Sequence, residues 1–249
     1  MRELFLLVIP FPLLLGFLSC SPDPTSPDSD PEPSCPADMV LIPANPNLGI
    51  DVPFCIDEYE ASRPDATETD QGVDTSMALS LAGVIPWHVN PMSSDALDQM
   101  RDAAGTAGKR LCTAAEWTAA CSGNSGLTYA YGNVFDPLAC NCVDSFCAEY
   151  CADNGIAPVD CSTDANCGYT YSCFFVVPTG DFEDCRSGQG VFDLNGNVWE
   201  VVLSSIDPRG YEIRGGGFND AGAAGRLQCD FNADWSNLYA GFRCCKNAE

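Results

Sequence analysis

Apolar residues run without an intervening charge from Leu4 to Phe17. The run is too short to span a membrane comfortably as a helix, and Pro10 and Pro12 would break one. Behind Met1-Arg2 it reads as the hydrophobic region of a signal peptide covering residues 1–20. Over residues 21–38 the pattern vanishes: prolines alternate with Asp, Ser and Thr, as in an extended tether unable to bury enough surface to fold. Regular patterning begins at Met39. Met39 to Pro43 and Val52 to Asp57 read as short strands. Ser93 or Ser94 can cap a helix to about Ala104 with Leu97, Met100 and Ala104 on one face. Thr113-Ala114-Ala115-Glu116 is a capping box opening a second helix that Gly123 ends. Four further strands are expected: Gly190 to Leu194, Val198 to Leu203, Tyr211 to Arg214 and Gly241 to Cys245. Two helices among many short strands make an α+β domain over residues 39–247 with abundant coil.

Charge narrows the range of partners. The 249 residues hold 35 acidic and 11 basic side chains, a formal net charge of -24. Such a chain repels phosphate backbones and anionic membrane surfaces, so no nucleic-acid partner is expected. The 16 cysteines place it in an oxidising, extracytoplasmic compartment. Phe17-Leu18-Ser19-Cys20 resembles a bacterial lipobox, which makes Cys20 a lipid-anchored N-terminus and the anchor the only membrane attachment. Ser21 directs sorting to an outer membrane where the host has one. Plain secretion is the alternative.

Several motifs follow in a definite order. Met39-Val40-Leu41-Ile42-Pro43 precedes Phe54-Cys55-Ile56-Asp57-Glu58-Tyr59-Glu60, then Gly108-Lys109-Arg110-Leu111-Cys112-Thr113-Ala114-Ala115-Glu116-Trp117. Gly190-Val191-Phe192-Asp193-Leu194-Asn195-Gly196-Asn197-Val198-Trp199-Glu200, Arg214-Gly215-Gly216-Gly217-Phe218 and Gly241-Phe242-Arg243 complete the series. From Met39 to Cys245 this resembles the formylglycine-generating-enzyme, or sulfatase-modifying-factor, domain. The resemblance implies a disulfide-rich α+β fold related to C-type lectin domains, low in regular secondary structure, with a Cys-rich insertion at about 140–185.

The resemblance also implies an active-site loop after the Gly-rich block, where two cysteines hold copper(I) in members that oxidise a sulfatase Cys. Here Gly217 to Gln228 contains no Cys; Asp220 and a small residue near Ala224 stand in those places. A carboxylate and a methyl group cannot replace two thiolates, so no copper and no formylglycine chemistry are expected. The remaining thiols are expected to be locked in bridges far from this loop. Related sulfoxide synthases bind iron through several His, and His88 is the one histidine here; its simplest role is packing or hydrogen bonding. The loop nevertheless offers Asn219, Asp220 and Arg226 as a candidate groove for a peptide, protein or glycan ligand.

The resemblance further implies structural calcium held by Asp193, the carbonyls of Gly196 and Val198, and Glu200. Hard oxygen ligands at close spacing on a loop bent at Gly196 suit that ion. The plainer alternative is a tight turn made by Asn195 and Asn197. A second calcium would use Asn141 with Asp153, Asp160 or Asp164. Of the cysteines, the family pattern pairs Cys121 with Cys229 and ties Cys244 back toward Cys112. The eight cysteines from Cys140 to Cys185 form a separate bridged cluster without an assignable map; zinc is the rival reading, against which stands the absence of a paired C-x2-C motif. The resulting expectation is a membrane-tethered binding or scaffold module. Its alternative is a divergent metal-dependent oxidase of the same family.

Overall fold

A computed structural model describes residues 32–156, 175–236 and 238–249. The signal peptide, Cys20, most of the tether, and the stretch with Asp160 and Asp164 lie outside the described residues. In chain order the elements are β1 (Met39–Ile42), β2 (Phe54–Asp57), β3 (Ala61–Ser62), β4 (Leu79–Ser80), α1 (Ser94–Thr106), β5 (Arg110–Leu111) and α2 (Ala114–Ser122). There follow α3 (Val143–Asn154), β6 (Trp199–Leu203), β7 (Tyr211–Arg214), β8 (Asn232–Ala233), β9 (Ala240–Phe242) and β10 (Cys244–Asn247). One sheet has the order β1-β2-β10-β5, a second β8-β7-β6-β9, and β3 pairs with β4. Within the second sheet β6 and β9 run parallel, and the other pairs are antiparallel.

Both expected helices start as their caps dictate. The Ser93 hydroxyl accepts the Ala96 N–H, and α1 buries Leu97, Met100, Ala103 and Ala104. At α2 the capping box closes: Thr113 Oγ1 accepts the Glu116 N–H and Glu116 Oε2 accepts the Thr113 N–H at 2.9 Å. The α1 face packs with Trp87, Trp199, Val201, Ile213 and Phe242 in one core cluster. The Trp117 face of α2 packs with Ile42, Phe54, Ile56, Leu194 and Val202 in another. Strand alternation divides the two: Trp199 and Val201 of β6 serve the first cluster and Val202 the second.

Several expectations change. The strand expected from Gly190 to Leu194 is an isolated bridge at Phe192, because Asp193 adopts φ 57°, a left-handed conformation that ends an extended run. The strand expected from Gly241 to Cys245 is two strands in different sheets, parted at Arg243. The insertion contains a helix, α3, that was not expected. Val143, Cys147 and Cys151 recur at intervals of four and share its buried face, so the cysteines carried the helical period. The folded domain also begins earlier than Met39. Cys35 is bridged to Cys55, and Ser34 exchanges backbone hydrogen bonds with Glu249.

Bridges also join Cys121 to Cys229, Cys140 to Cys185 and Cys112 to Cys245; Cys147 and Cys151 are disulfide-bonded as well. Cys245, not Cys244, is therefore the partner of Cys112. In the β10–β5 register Cys244 faces Leu111 and Cys245 faces Arg110. Side chains alternate across a pleated strand, so Cys112 lies on the Arg110 side, with Cys245. Cys244 points into the other cluster beside Leu111, where it is a buried free thiol.

Candidate functional site

The Asp193 to Glu200 turn is built around a buried guanidinium. Arg243 Nε and Nη2 donate to Glu200 at 2.7 Å each, and Glu200 Oε2 also accepts the Trp117 Nε1–H at 2.8 Å. Arg243 further donates to the carbonyls of Asp57 and Phe192. Glu60 lies beside this pair, accepting from Asn197 Nδ2 at 2.7 Å and the Val198 N–H at 3.0 Å. Asp193 Oδ2 accepts the Gly180 N–H at 2.7 Å. Burial pushes the Asp193 carboxyl up to about 7 and, with Asp193 and Glu200 adding repulsion, raises Glu60 well above its ordinary value. Gly196 holds φ 96°, and a Cβ there would sit 2.4 Å from the Asn141 carbonyl oxygen, so only glycine permits that approach.

These residues do not fit the calcium ligand set. Both Glu200 carboxylate oxygens are committed to Arg243, and Oε2 also to Trp117. Among the described residues no three Asp, Glu, His or Cys side chains are grouped to hold a metal ion. The turn reading of Asn195 and Asn197 describes the region better. Asn195 accepts the Ala130 N–H at 2.7 Å and donates to the Leu227 carbonyl at 2.7 Å, and Asn197 holds φ 54°.

The loop from Gly217 to Gln228 differs from expectation in two respects. Asp220 is 3% exposed, pairs with Arg226 Nη1 at 2.9 Å and accepts the Gly217 N–H at 3.1 Å. Arg226 in turn covers the Trp235 ring. Two of the three residues expected to meet a ligand are thus engaged with the fold, and Asn219 alone lines open space. Second, a free thiol does lie against the loop. Cys142 caps the N-terminus of α3 and packs with Tyr129 and Leu227, while the Val143 N–H donates to the Asp220 carbonyl. Burial pushes the Cys142 thiol up to about 11, which keeps it protonated at neutral pH.

Beside Asn219 opens a cleft of about 520 Å³. Residues 69–71, Ile85, His88, Phe175, Val176, Phe218 and Tyr239 complete its lining. Its walls are held from three directions. Val89 and Ala240 exchange backbone hydrogen bonds, which sets His88 near Tyr239 with ring centroids 5.8 Å apart. Phe218, anchored through its N–H to the Asn197 carbonyl, meets Tyr239 edge to face at 4.9 Å. Gln71 Oε1 accepts the His88 N–H at 3.0 Å. His88 Nδ1 lies 2.9 Å from the Pro86 carbonyl oxygen, which can only accept, so Nδ1 carries the proton. Nε2 is left with a lone pair, and burial holds the ring's pKa below its ordinary value. The Asn219 Oδ1 is buried with no hydrogen-bond partner among the described residues.

A sequence model of the sulfatase-modifying factor enzyme 1-like domain matches residues 98–248. The chain belongs to that family. No curated protein matches it in sequence. Among solved structures it is similar to Treponema denticola variable protein 1, at 13% identity and TM-score 0.49 over 84% of this chain and 94% of that one. PvdO from Pseudomonas aeruginosa is similar at 17% identity and TM-score 0.44, over 85% and 92%. CarF is similar at 15% identity and TM-score 0.47, over 86% and 99%. The sulfatase-modifying-factor fold expected from the ordered motifs is the fold observed, with its mixed short elements and disulfides. Of the cleft, the motifs indicated only Asn219. Phe218 closes the Gly-rich block, whereas Gln71 and Tyr239 lie outside any motif.

Proposed function

We propose that this sulfatase-modifying-factor domain is an extracytoplasmic binding module, lipid-anchored through Cys20, whose ligand site is the His88–Asn219–Tyr239 cleft. The observation carrying this reading is the pairing of an aromatic-walled cleft with a neighbouring loop that has no cysteine. The volume and mixed apolar and polar lining are those of small-ligand sites in general. The disulfides agree with an oxidising compartment. Among the described residues no helix is long and apolar enough to cross a membrane.

The oxidase alternative draws on Cys142, the free thiol packed against Leu227. A single protonated thiol is a poor substitute for a pair of thiolates, and the other free thiol among the described residues, Cys244, belongs to a different core cluster. The test has two arms. Aerobic incubation of a Cys-x-Pro-x-Arg peptide with copper-loaded protein is expected to leave the Cys unchanged by mass spectrometry. Peptide and glycan arrays are expected to retain the protein, and retention is expected to fall for Tyr239→Ala. Heat-sensitive conversion of the peptide, or array binding indifferent to Tyr239→Ala, would overturn the proposal.

A further inference from the structure

Beside the Thr69 hydroxyl and the Gln71 amide, the cleft offers two acceptors of distinct character, His88 and Asp70. His88 Nε2 carries a lone pair because the Pro86 carbonyl holds the ring proton on Nδ1. Asn219 lines the cleft, but its Oδ1 is closed to solvent beside Gly217 and is not one of the groups a ligand meets. Asp70, whose Oδ1 also accepts the Gly72 N–H at 2.7 Å, adds a carboxylate, and among the described residues no Lys or Arg lines the cleft. The Arg63 guanidinium is stacked 4.7 Å from the Trp87 ring centroid and donates to the Gly72 carbonyl. It is outnumbered in its own loop by Asp65, Glu68, Asp70 and Asp74. Between these acceptors the walls are apolar: Ile85, Val176, Phe218 and Tyr239.

We infer that the cleft takes a primary ammonium group carried on an apolar stem, as in an alkylamine or a lysine side chain; this rests on reading the cleft as the binding site. An ammonium has three donors and no acceptor, which matches the lone pair of His88 Nε2 and the Asp70 carboxylate. Its methylene stem can lie along Phe218 and Tyr239, and aromatic faces also attract cations. A carboxylate or phosphate finds no cation there and meets a strongly negative protein.

The single histidine supplies an unambiguous reporter, since both imidazole nitrogen signals belong to His88. The full chain is titrated at pH 7.5 with n-pentylamine and, as a peptide source of the same group, with acetyl-Gly-Lys-Gly-amide. Pentanol and pentanoate are the uncharged and anionic controls. A saturable shift of the Nε2 resonance with the amine, tighter than with either control, is expected. A shift with the lysine peptide at lower concentration than with the free amine identifies a peptide source, and the reverse a free amine. Asp70→Asn, at an exposed position that cannot unfold the core, should weaken the amine and leave pentanol unchanged. Saturable shifts with pentanol or pentanoate but not the amines would overturn the ammonium inference while leaving the cleft a binding site. No shift with any probe would overturn it too, and the arrays above then decide the binding reading separately.

Discussion

Arg243 and Glu200 form an ion pair with both side chains essentially inaccessible to solvent, and it joins the two sheets. Glu200 belongs to β6 in one sheet, and Arg243 is the residue at which the chain passes from β9 in that sheet to β10 in the other. Glu60 and Asp193 also lean on the same guanidinium. Breaking a buried pair by removing one partner costs about 3–5 kcal/mol. Arg243→Met, which strands three acids, should lie at or above that range, and Glu200→Gln below it, because Arg243 keeps two acidic neighbours. Urea unfolding of both variants measures the order; equal losses would argue against a shared cation.

The vicinal cysteines should behave differently. Non-reducing peptide mapping is expected to recover Cys112 linked to Cys245 and to find Cys244 alkylated only after denaturation. Burial raises the Cys244 thiol far above its ordinary value, which slows its reaction further. Cys245→Ser should cost about 2–5 kcal/mol, more than Cys244→Ala.

The start of α2 gives a pH-dependent contribution. Burial pushes the Glu116 carboxyl up, but the two Arg110 bonds and the Thr113 N–H outweigh it and hold the group below its ordinary value. A carboxyl depressed on folding stabilises the protein above its unfolded pKa, and this stabilisation is lost as pH falls through the folded pKa. Glu116→Gln should therefore destabilise at pH 7 and converge with the wild type on acidification below about pH 4.5. Thr113→Ala should cost about 1 kcal/mol at pH 7 and less once Glu116 is protonated, since the Thr113 hydroxyl also donates to that carboxylate. Thermal unfolding across pH 3 to 7 would check both.

Anchoring is tested through the leader. Cys20→Ser should move the protein from the membrane fraction to the soluble one, and labelling with a palmitate analogue should disappear. Retention of the variant in membranes would contradict lipid attachment at this residue.

The caps at Ser93 and Thr113 and the faces of α1 and α2 were legible because each is decided within a few residues of chain. So was the family, whose ordered blocks recur at the turns that Gly196 and Gly215 make tight. The helix α3 was hidden because Val143, Cys147 and Cys151 carry its period in residues that read first as bridges. Of the cleft only Asn219 was legible, as part of the loop after the Gly-rich block, since Gln71, His88 and Tyr239 join it only after distant segments cross.

Local order in this protein was therefore written in the sequence by itself: which segments coil, where they start, and that an acidic, Cys-rich chain matching these blocks folds as a sulfatase-modifying-factor domain. Partner choice was decided only by tertiary structure. Which of Cys244 and Cys245 bonds to Cys112 depends on the parity of a strand pairing between residues more than a hundred positions apart. Whether Glu200 holds an ion or a guanidinium depends on Arg243 arriving from the next strand crossing. Asp220 and Arg226, six residues apart, turn toward each other rather than toward a ligand because α3 closes over their loop. Periodicity and capping act through neighbours along the chain, whereas these choices are made by buried groups that must find whatever partner the packed core brings within reach.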